Sequence, residues 1–226
     1  MNIIRFLGFQ LKTIRGKTIV HVGAHYGEEA DRYRFWGAKR VVWFEAAPSI
    51  FEKLQAHLKT VSQKGKSKLA ALFGEPACEQ IACLGLLGEE SGRVASFHQF
   101  NNEGASNSIF QLSDKAHDMF AGLQETGDVL QLEMTTLDDE LEKRGIAPQS
   151  VDILVIDVQG AELMVLRGAL KTLKAAKYLE CEVSREPIYE GGVLLAELET
   201  WLNQYGFYRK TSIRRSHMNA IFVRKD

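Results

Sequence analysis

At 226 residues, 45% hydrophobic and 25% charged, the chain has the composition of a soluble globular protein long enough to bury a real core. A formal net charge of -1 leaves no basic excess for a nucleic-acid backbone, and no stretch is apolar for long enough to span a bilayer. Three cysteines, Cys78, Cys83 and Cys181, form no CxxC pair and are too few for a disulfide framework or a zinc site, so free thiols in a reducing, cytoplasmic setting are expected.

Residues 1–17 are read as an N-terminal helical extension packed on the core; they carry no signal-peptide pattern. Thr18 to Ala24 reads as a first buried strand. Glu28 to Trp36 reads as a helix with acidic residues near its start, where they complement the helix dipole. Val41 to Phe44 is a second buried strand ending at Glu45, and Pro48 opens a second helix with Ile50, Phe51, Leu54 and Leu58 on one face. This strand–helix–strand–helix order predicts parallel pairing. Lys64 to Glu75 is ambiguous, Gln80 to Leu87 reads as a third strand, Arg93 to Phe100 as a half-exposed strand, and Asn101 to Ser108 as a loop. Thr135 to Arg144 is a helix capped by Thr136, Val151 to Val158 a strongly apolar strand, and Leu163 to Ala175 a helix. Tyr178 to Val183 is a strand, Leu194 to Tyr205 a helix closed by Gly206, and Phe207 to Ser212 with Ala220 to Val223 a final hairpin. With no repeat or linker, a single domain over residues 1–226 is expected.

The chemistry gathers at strand ends, where open α/β sheets bind ligands. Gly23-x-x-x-Gly27 lets the backbone approach a ligand, but it is neither the G-x-G-x-x-G dinucleotide pattern nor a phosphate loop. Glu45, at the end of the second strand, is suited to accept both hydroxyl hydrogens of a ribose. A glycine turn with an acidic ribose clamp and no phosphate signal fits S-adenosylmethionine better than NAD. Asp157 ends the central strand, where it could face the cofactor's charged part, bind a metal, act as a base or cap the next helix. Glu162 reads as first-turn dipole complementation, and Glu182 points toward the same rim. Glu180 shares a strand face with Glu182, so a buried carboxylate there needs a partner. Among the histidines, His21 reads as a hydrogen-bonded core residue, His25 as a cofactor contact and His57 as surface; His98, His117 and His217 lie near loops, and nothing selects one. No two have metal-ligand spacing, so no metal is expected.

Several pieces, in order, resemble the FkbM-type S-adenosylmethionine-dependent methyltransferases. They are His-Val-Gly-Ala-His-Tyr-Gly (21–27), Trp-Phe-Glu-Ala-Ala-Pro (43–48), Leu-Gly-Glu-Glu-Ser-Gly (87–92), Ala-Ser-Asn-Ser (105–108), Thr-Thr-Leu-Asp-Asp (135–139), Ile-Asp-Val-Gln-Gly-Ala-Glu (156–162) and Tyr-Glu-Gly-Gly (189–192). The resemblance implies an α/β, Rossmann-like methyltransferase fold: a seven-stranded, mostly parallel sheet with an antiparallel last strand and helices on both faces. It implies S-adenosyl-L-methionine as cofactor, its amino-acid part wrapped by Gly23, Ala24, His25, Tyr26 and Gly27. Glu45 beside Ala46 would hold the ribose, and Leu86 to Glu89, with Leu87 and Gly88 central, would edge the adenine. Asp157 would lie beside the transferring methyl group. The implied reaction is O-methylation of a hydroxyl on a sugar, glycan or natural product, with Asp157, Glu182 or a loop histidine as base. Three departures stand out: His21 occupies a position usually acidic in the family, His25 one where asparagine is common, and Val155 one where a lysine is usual. The alternatives are a catalytically silent binding module on the same fold and a nicotinamide-dependent oxidoreductase, which the missing G-x-G-x-x-G disfavours.

Overall fold

The computed structural model describes residues 13–74 and 76–225. Most of the expected N-terminal extension therefore lies outside the described residues; within them, Thr13 and Ile14 are helical and buried. Five apolar strands lie parallel: β1 (Thr18–Val22), β2 (Arg40–Glu45), β3 (Glu79–Leu84), β7 (Ile153–Ile156) and β8 (Tyr178–Ser184). The sheet order is β3-β2-β1-β7-β8-β10-β9, where β10 is His217–Arg224 and β9 is Phe207–Arg209. β10 runs antiparallel to both its neighbours, so the expected C-terminal hairpin completes the sheet and only β10 is reversed.

Alternation along each strand divides the core between two layers of helices. Ile19, Val41, Trp43, Ile153 and Val155 face one side. They meet Ala30 and Tyr33 of α1 (Ala30–Phe35) and Leu54, Leu58 and Val61 of α2 (Pro48–Gln63). Val20, Val42, Phe44, Leu154, Ile156 and Leu179 face the other. There they pack against α5 (Leu137–Lys143), α6 (Glu162–Arg167), α7 (Leu170–Ala175) and α8 (Leu195–Gln204). The ambiguous segment contains the short α3 (Lys68–Leu72), whose first turn is capped by Ser67 Oγ, and α4 (Asp114–Met119) lies in the segment after the Asn101–Ser108 turns.

Three expectations are corrected. The strand expected over Gln80 to Leu87 breaks at Gly85: β3 ends at Leu84, and β4 (Leu86–Leu87) leaves for a second sheet of order β4-β6-β5. Its central strand, β6 (Glu125–Thr135), was not expected, because only Val129 to Met134 alternates and residues 126–129 are exposed. β5 (Val94–Phe100) pairs antiparallel with it, as a half-exposed strand can. The helix expected over Leu163 to Ala175 is two helices, broken at Gly168 and Ala169. A Cβ on Gly168 would lie 2.0 Å from the Gly88 carbonyl oxygen, so the chain turns where it presses on the loop after β4. Asp138 secures the second start: its carboxylate accepts from the amides of Lys171 (2.7 Å) and Thr172 (3.0 Å) and from the Thr172 hydroxyl (2.6 Å).

Candidate active site

The C-terminal ends of β1, β2, β3 and β7 open onto one cavity of about 970 Å³. Gly23, Ala24, His25, Glu45, Ala46, Leu87 and Asp157 all line it. Tyr26, Gly27 and Gly88, expected in the same wall, do not line it. A Cβ on Gly27 would meet Leu54 and one on Gly88 would meet Met134, and the Tyr26 hydroxyl donates to the Glu103 carbonyl (3.2 Å). Leu86, Phe97 and Ile109 supply an apolar section of wall.

Gly23 is what permits the turn. Its φ is +79°, and a Cβ there would lie 1.7 Å from the Asp157 carbonyl oxygen, so only glycine lets the ends of β1 and β7 meet. The turn then fixes Glu45: the His25 amide donates to Oε2 and the Ala47 amide to Oε1, each at 2.9 Å. Burial raises the Glu45 carboxyl above the usual carboxylate range, while the amides of Ala47 and His25 pull it back. Each oxygen keeps a further lone pair, as a bidentate clamp on two adjacent hydroxyls requires. His25 itself sits at φ 47°, with Nδ1 2.7 Å from Glu28 Oε1 and its ring 3.8 Å from that of Tyr26.

Asp157 is half-buried and sits in a carboxylate cluster with Glu182 and Glu162. Gln159 Nε2 donates to Asp157 Oδ1 (2.5 Å) and to Glu182 Oε2 (2.8 Å), and Glu182 Oε1 meets His217 Nε2 at 2.9 Å. Gln159 is held in the left-handed region (φ 55°). Its side-chain oxygen accepts from the Tyr189 hydroxyl (2.7 Å) and its carbonyl from the Ser108 hydroxyl (2.7 Å). Burial lifts the Asp157 carboxyl well above the carboxylate range, and the charges of Glu182 and Glu162 add to it. Glu162 is buried too; its Oε1 accepts from the amides of Gly160 (3.0 Å) and Val158 (3.3 Å), and desolvation pushes its pKa up to about 7. It closes the turn before α6, consistent with the helix-start role expected of it. Glu182 does not line the main cavity; it borders a separate pocket of about 20 Å³ with Glu162, Ser184 and His217.

The remaining candidates separate cleanly. His21 is buried, stacked on Trp43 (4.9 Å) with Nδ1 3.4 Å from the Tyr33 hydroxyl, the core role expected of it; burial lowers its pKa. Glu180 finds its partner in Asn219 Nδ2 (3.3 Å). His57 is half-buried rather than at the surface, and His98, on β5, lies 3.3 Å from Glu125. His117 falls on α4. Among the described residues, no group of three or more His, Cys, Asp or Glu could hold a metal ion. No local spacing marks Gln159, Tyr189 or Ser108, and His217 is one of three loop histidines among which the sequence selects none. The only signal was that Ser108, Gln159 and Tyr189 fall in three of the quoted motifs. Those motifs prove to be fastened to one another: Ser91 Oγ donates to Asp139 (2.6 Å) and accepts from the Thr136 amide (3.1 Å), and the Tyr189 hydroxyl also meets the Ser106 carbonyl (3.2 Å).

A seven-stranded sheet with one reversed strand, its ligand cavity at the β1, β2 and β7 ends, defines the Rossmann-like methyltransferase class of fold. The sequence places it more closely: residues 21–208 match the family described as Methyltransferase FkbM domain, and the chain belongs to that family. It is 31% identical over 115 residues to the 2-O-methyltransferase NoeI of Sinorhizobium fredii (strain NBRC 101917 / NGR234). That match spans 46% of this chain and 44% of the relative, so less than half of either. Among solved structures, magnesium protoporphyrin IX methyltransferase from Synechocystis PCC 6803 with bound SAM is similar at 12% identity and a TM-score of 0.48, over 99% of this chain and 77% of that one. An rRNA methylase from Streptococcus thermophilus is similar at 10% identity and a TM-score of 0.43, over 100% and 98% of the two chains.

Proposed function

We propose that the protein is an S-adenosylmethionine-dependent O-methyltransferase acting on a hydroxyl of a sugar, glycan or natural-product small molecule. The observation that carries this reading is the cavity that joins a two-amide-anchored Glu45 to a half-buried Asp157 across the Gly23 turn. The residues fit that cofactor: Glu45 would hold the ribose hydroxyls, Leu86 and Leu87 would edge the adenine, and Gly23, Ala24 and His25 would approach the amino-acid part. When bound, the cofactor supplies a methyl group activated by a positively charged sulfur. The chain's own task is alignment and proton removal, because displacement at carbon needs an in-line acceptor. Asp157, with Glu182 behind it, is the proposed base for the acceptor's proton. The 2-O-methyltransferase relative supports oxygen as the atom methylated. The near-neutral charge argues against a nucleic-acid acceptor. Among the described residues no helix is long and apolar enough to cross a membrane, and the free thiols of Cys78, Cys83 and Cys181 suit a reducing, cytoplasmic setting. A single domain over residues 1–226 is part of the same proposal.

Isothermal titration with S-adenosylmethionine and S-adenosylhomocysteine tests the cofactor half. Wild type binds both. Glu45→Ala loses two charge-assisted hydrogen bonds and weakens binding of each ligand on the order of 100-fold, taking roughly 1.5 kcal/mol per bond. Wild type that binds neither ligand would sink the reading, and an Ala variant that binds normally would remove Glu45 from it. Transfer of a labelled methyl group to a panel of sugars and oligosaccharides tests the acceptor half.

A further inference from the structure

Asp157 is linked through Gln159 and Glu182 to a histidine that lies outside the main cavity. The Gln159 amide donates to both the Asp157 carboxylate and that of Glu182, which holds the two side by side as a carboxyl pair. The pair's far side is closed by His217 Nε2, 2.9 Å from Glu182 Oε1. His217 opens β10, opposite Ser184 at the end of β8, so the reversed strand delivers it to the rear of the site. Its Nδ1 is buried with no hydrogen-bond partner, and the residue lines a pocket of about 20 Å³, room for one water. The groups facing it are Glu182 from β8, Glu162 from the start of α6, and the edge of Phe120, 5.9 Å away. Glu186 also lines the pocket, but its carboxylate pairs with Lys115. Arg185 is exposed and is tied to this strand through its amide and the Ser216 carbonyl (2.7 Å). Burial opposes a charge on His217, but the hydrogen bond and charge of Glu182 outweigh it and raise its pKa above the ordinary value.

We propose that His217 is a positioning residue: acting through Glu182, it sets the protonation of the Asp157–Glu182 pair that takes the acceptor's proton. This rests on the methyltransferase reading above. In the reaction the acceptor oxygen gains a methyl group and gives up its proton to the ionised member of the pair. The methyl–sulfur bond breaks with its electrons left on sulfur. A cationic His217 stabilises the ionised pair and keeps it able to accept that proton; a neutral residue at 217 would let the pair hold its own proton to higher pH.

Proton linkage tests this without an acceptor. A sulfonium brought beside a protonated carboxyl expels its proton, so titrating S-adenosylmethionine in two buffers of different ionisation enthalpy counts protons released at each pH. S-adenosylhomocysteine, without that charge, is the control. Wild type should release a proton with the first ligand and not with the second. His217→Gln removes a nearby positive charge and should move the midpoint of release up by about one pH unit, the scale of a close opposite charge. Glu182→Gln removes a like charge from beside Asp157 and should move it down. A general loosening of the site would not shift the two variants in opposite directions. Profiles that superimpose on wild type, or shift together, overturn the assignment of His217 while leaving the methyltransferase reading intact. A wild-type protein that binds neither ligand removes both.

Discussion

Glu162 places a carboxylate where water cannot reach it, and two backbone amides only partly compensate. With its folded pKa pushed up to about 7 against an ordinary 4.5, the native state binds the proton more tightly than the unfolded chain. Its contribution to stability is therefore fully present below the ordinary value and is lost as pH rises through 7. The scale is of the order of 3 kcal/mol. Glu162→Gln keeps an oxygen for the amides of Val158 and Gly160 and removes the titration. Urea unfolding at pH 5 and pH 8 should show a smaller loss of stability across that interval in the variant than in wild type. Equal losses would mean that Glu162 is already ionised throughout. The carboxylate at this position was legible in the sequence and its helix-start role was read correctly. Its burial was not, because burial comes from the approach of β8 and the Tyr189 segment, both remote in sequence.

At the scale of elements, the motifs behind the family resemblance do mostly mechanical work. The Thr-Thr-Leu-Asp-Asp run caps two helices: Thr136 Oγ1 accepts from the Asp139 amide (3.1 Å) at the start of α5, and Asp138 secures the start of α7. Gly168 lets these helices sit against the loop that begins at Gly88, directly after β4. Gly168→Ala forces a methyl group into backbone rather than into a yielding side chain. It should cost about 1–3 kcal/mol, as overpacking does, and lower the melting temperature by several degrees. An unchanged melting temperature would mean that the loop after β4 gives way freely. The break at Gly168 was hidden because a helix pattern read along the sequence continues smoothly from Leu163 to Leu173. β6 was hidden for the opposite reason: a strand whose first half is exposed offers too little alternation to detect.

For the molecule as a whole, the reversed strand is the element on which sheet and site both depend. β10 pairs with seven residues of β8 and shields its edge, while carrying His217 to the rear of the Asp157 cluster. A chain ending at Gln204 would leave β8 as an unpaired edge and strip Phe207, Ala220 and Phe222 from the core. It should show no cooperative thermal transition by circular dichroism. A sharp transition near the wild-type temperature would show that the sheet is stable without its last two strands.

The sequence alone determined the parallel α/β class, the strand ends that meet at the cavity, the carboxylates Glu45 and Asp157 at two of those ends, and the C-terminal pairing. Each rests on local signals: apolar runs, glycine turns, and a carboxylate directly after a strand. Only the tertiary structure decided which turn residues face the cavity, why Gly23 and Gly168 must be glycine, and that Gln159, Glu182 and His217 complete the Asp157 cluster. Those contacts join residues from opposite ends of the chain, and no spacing along it encodes a distance across a sheet.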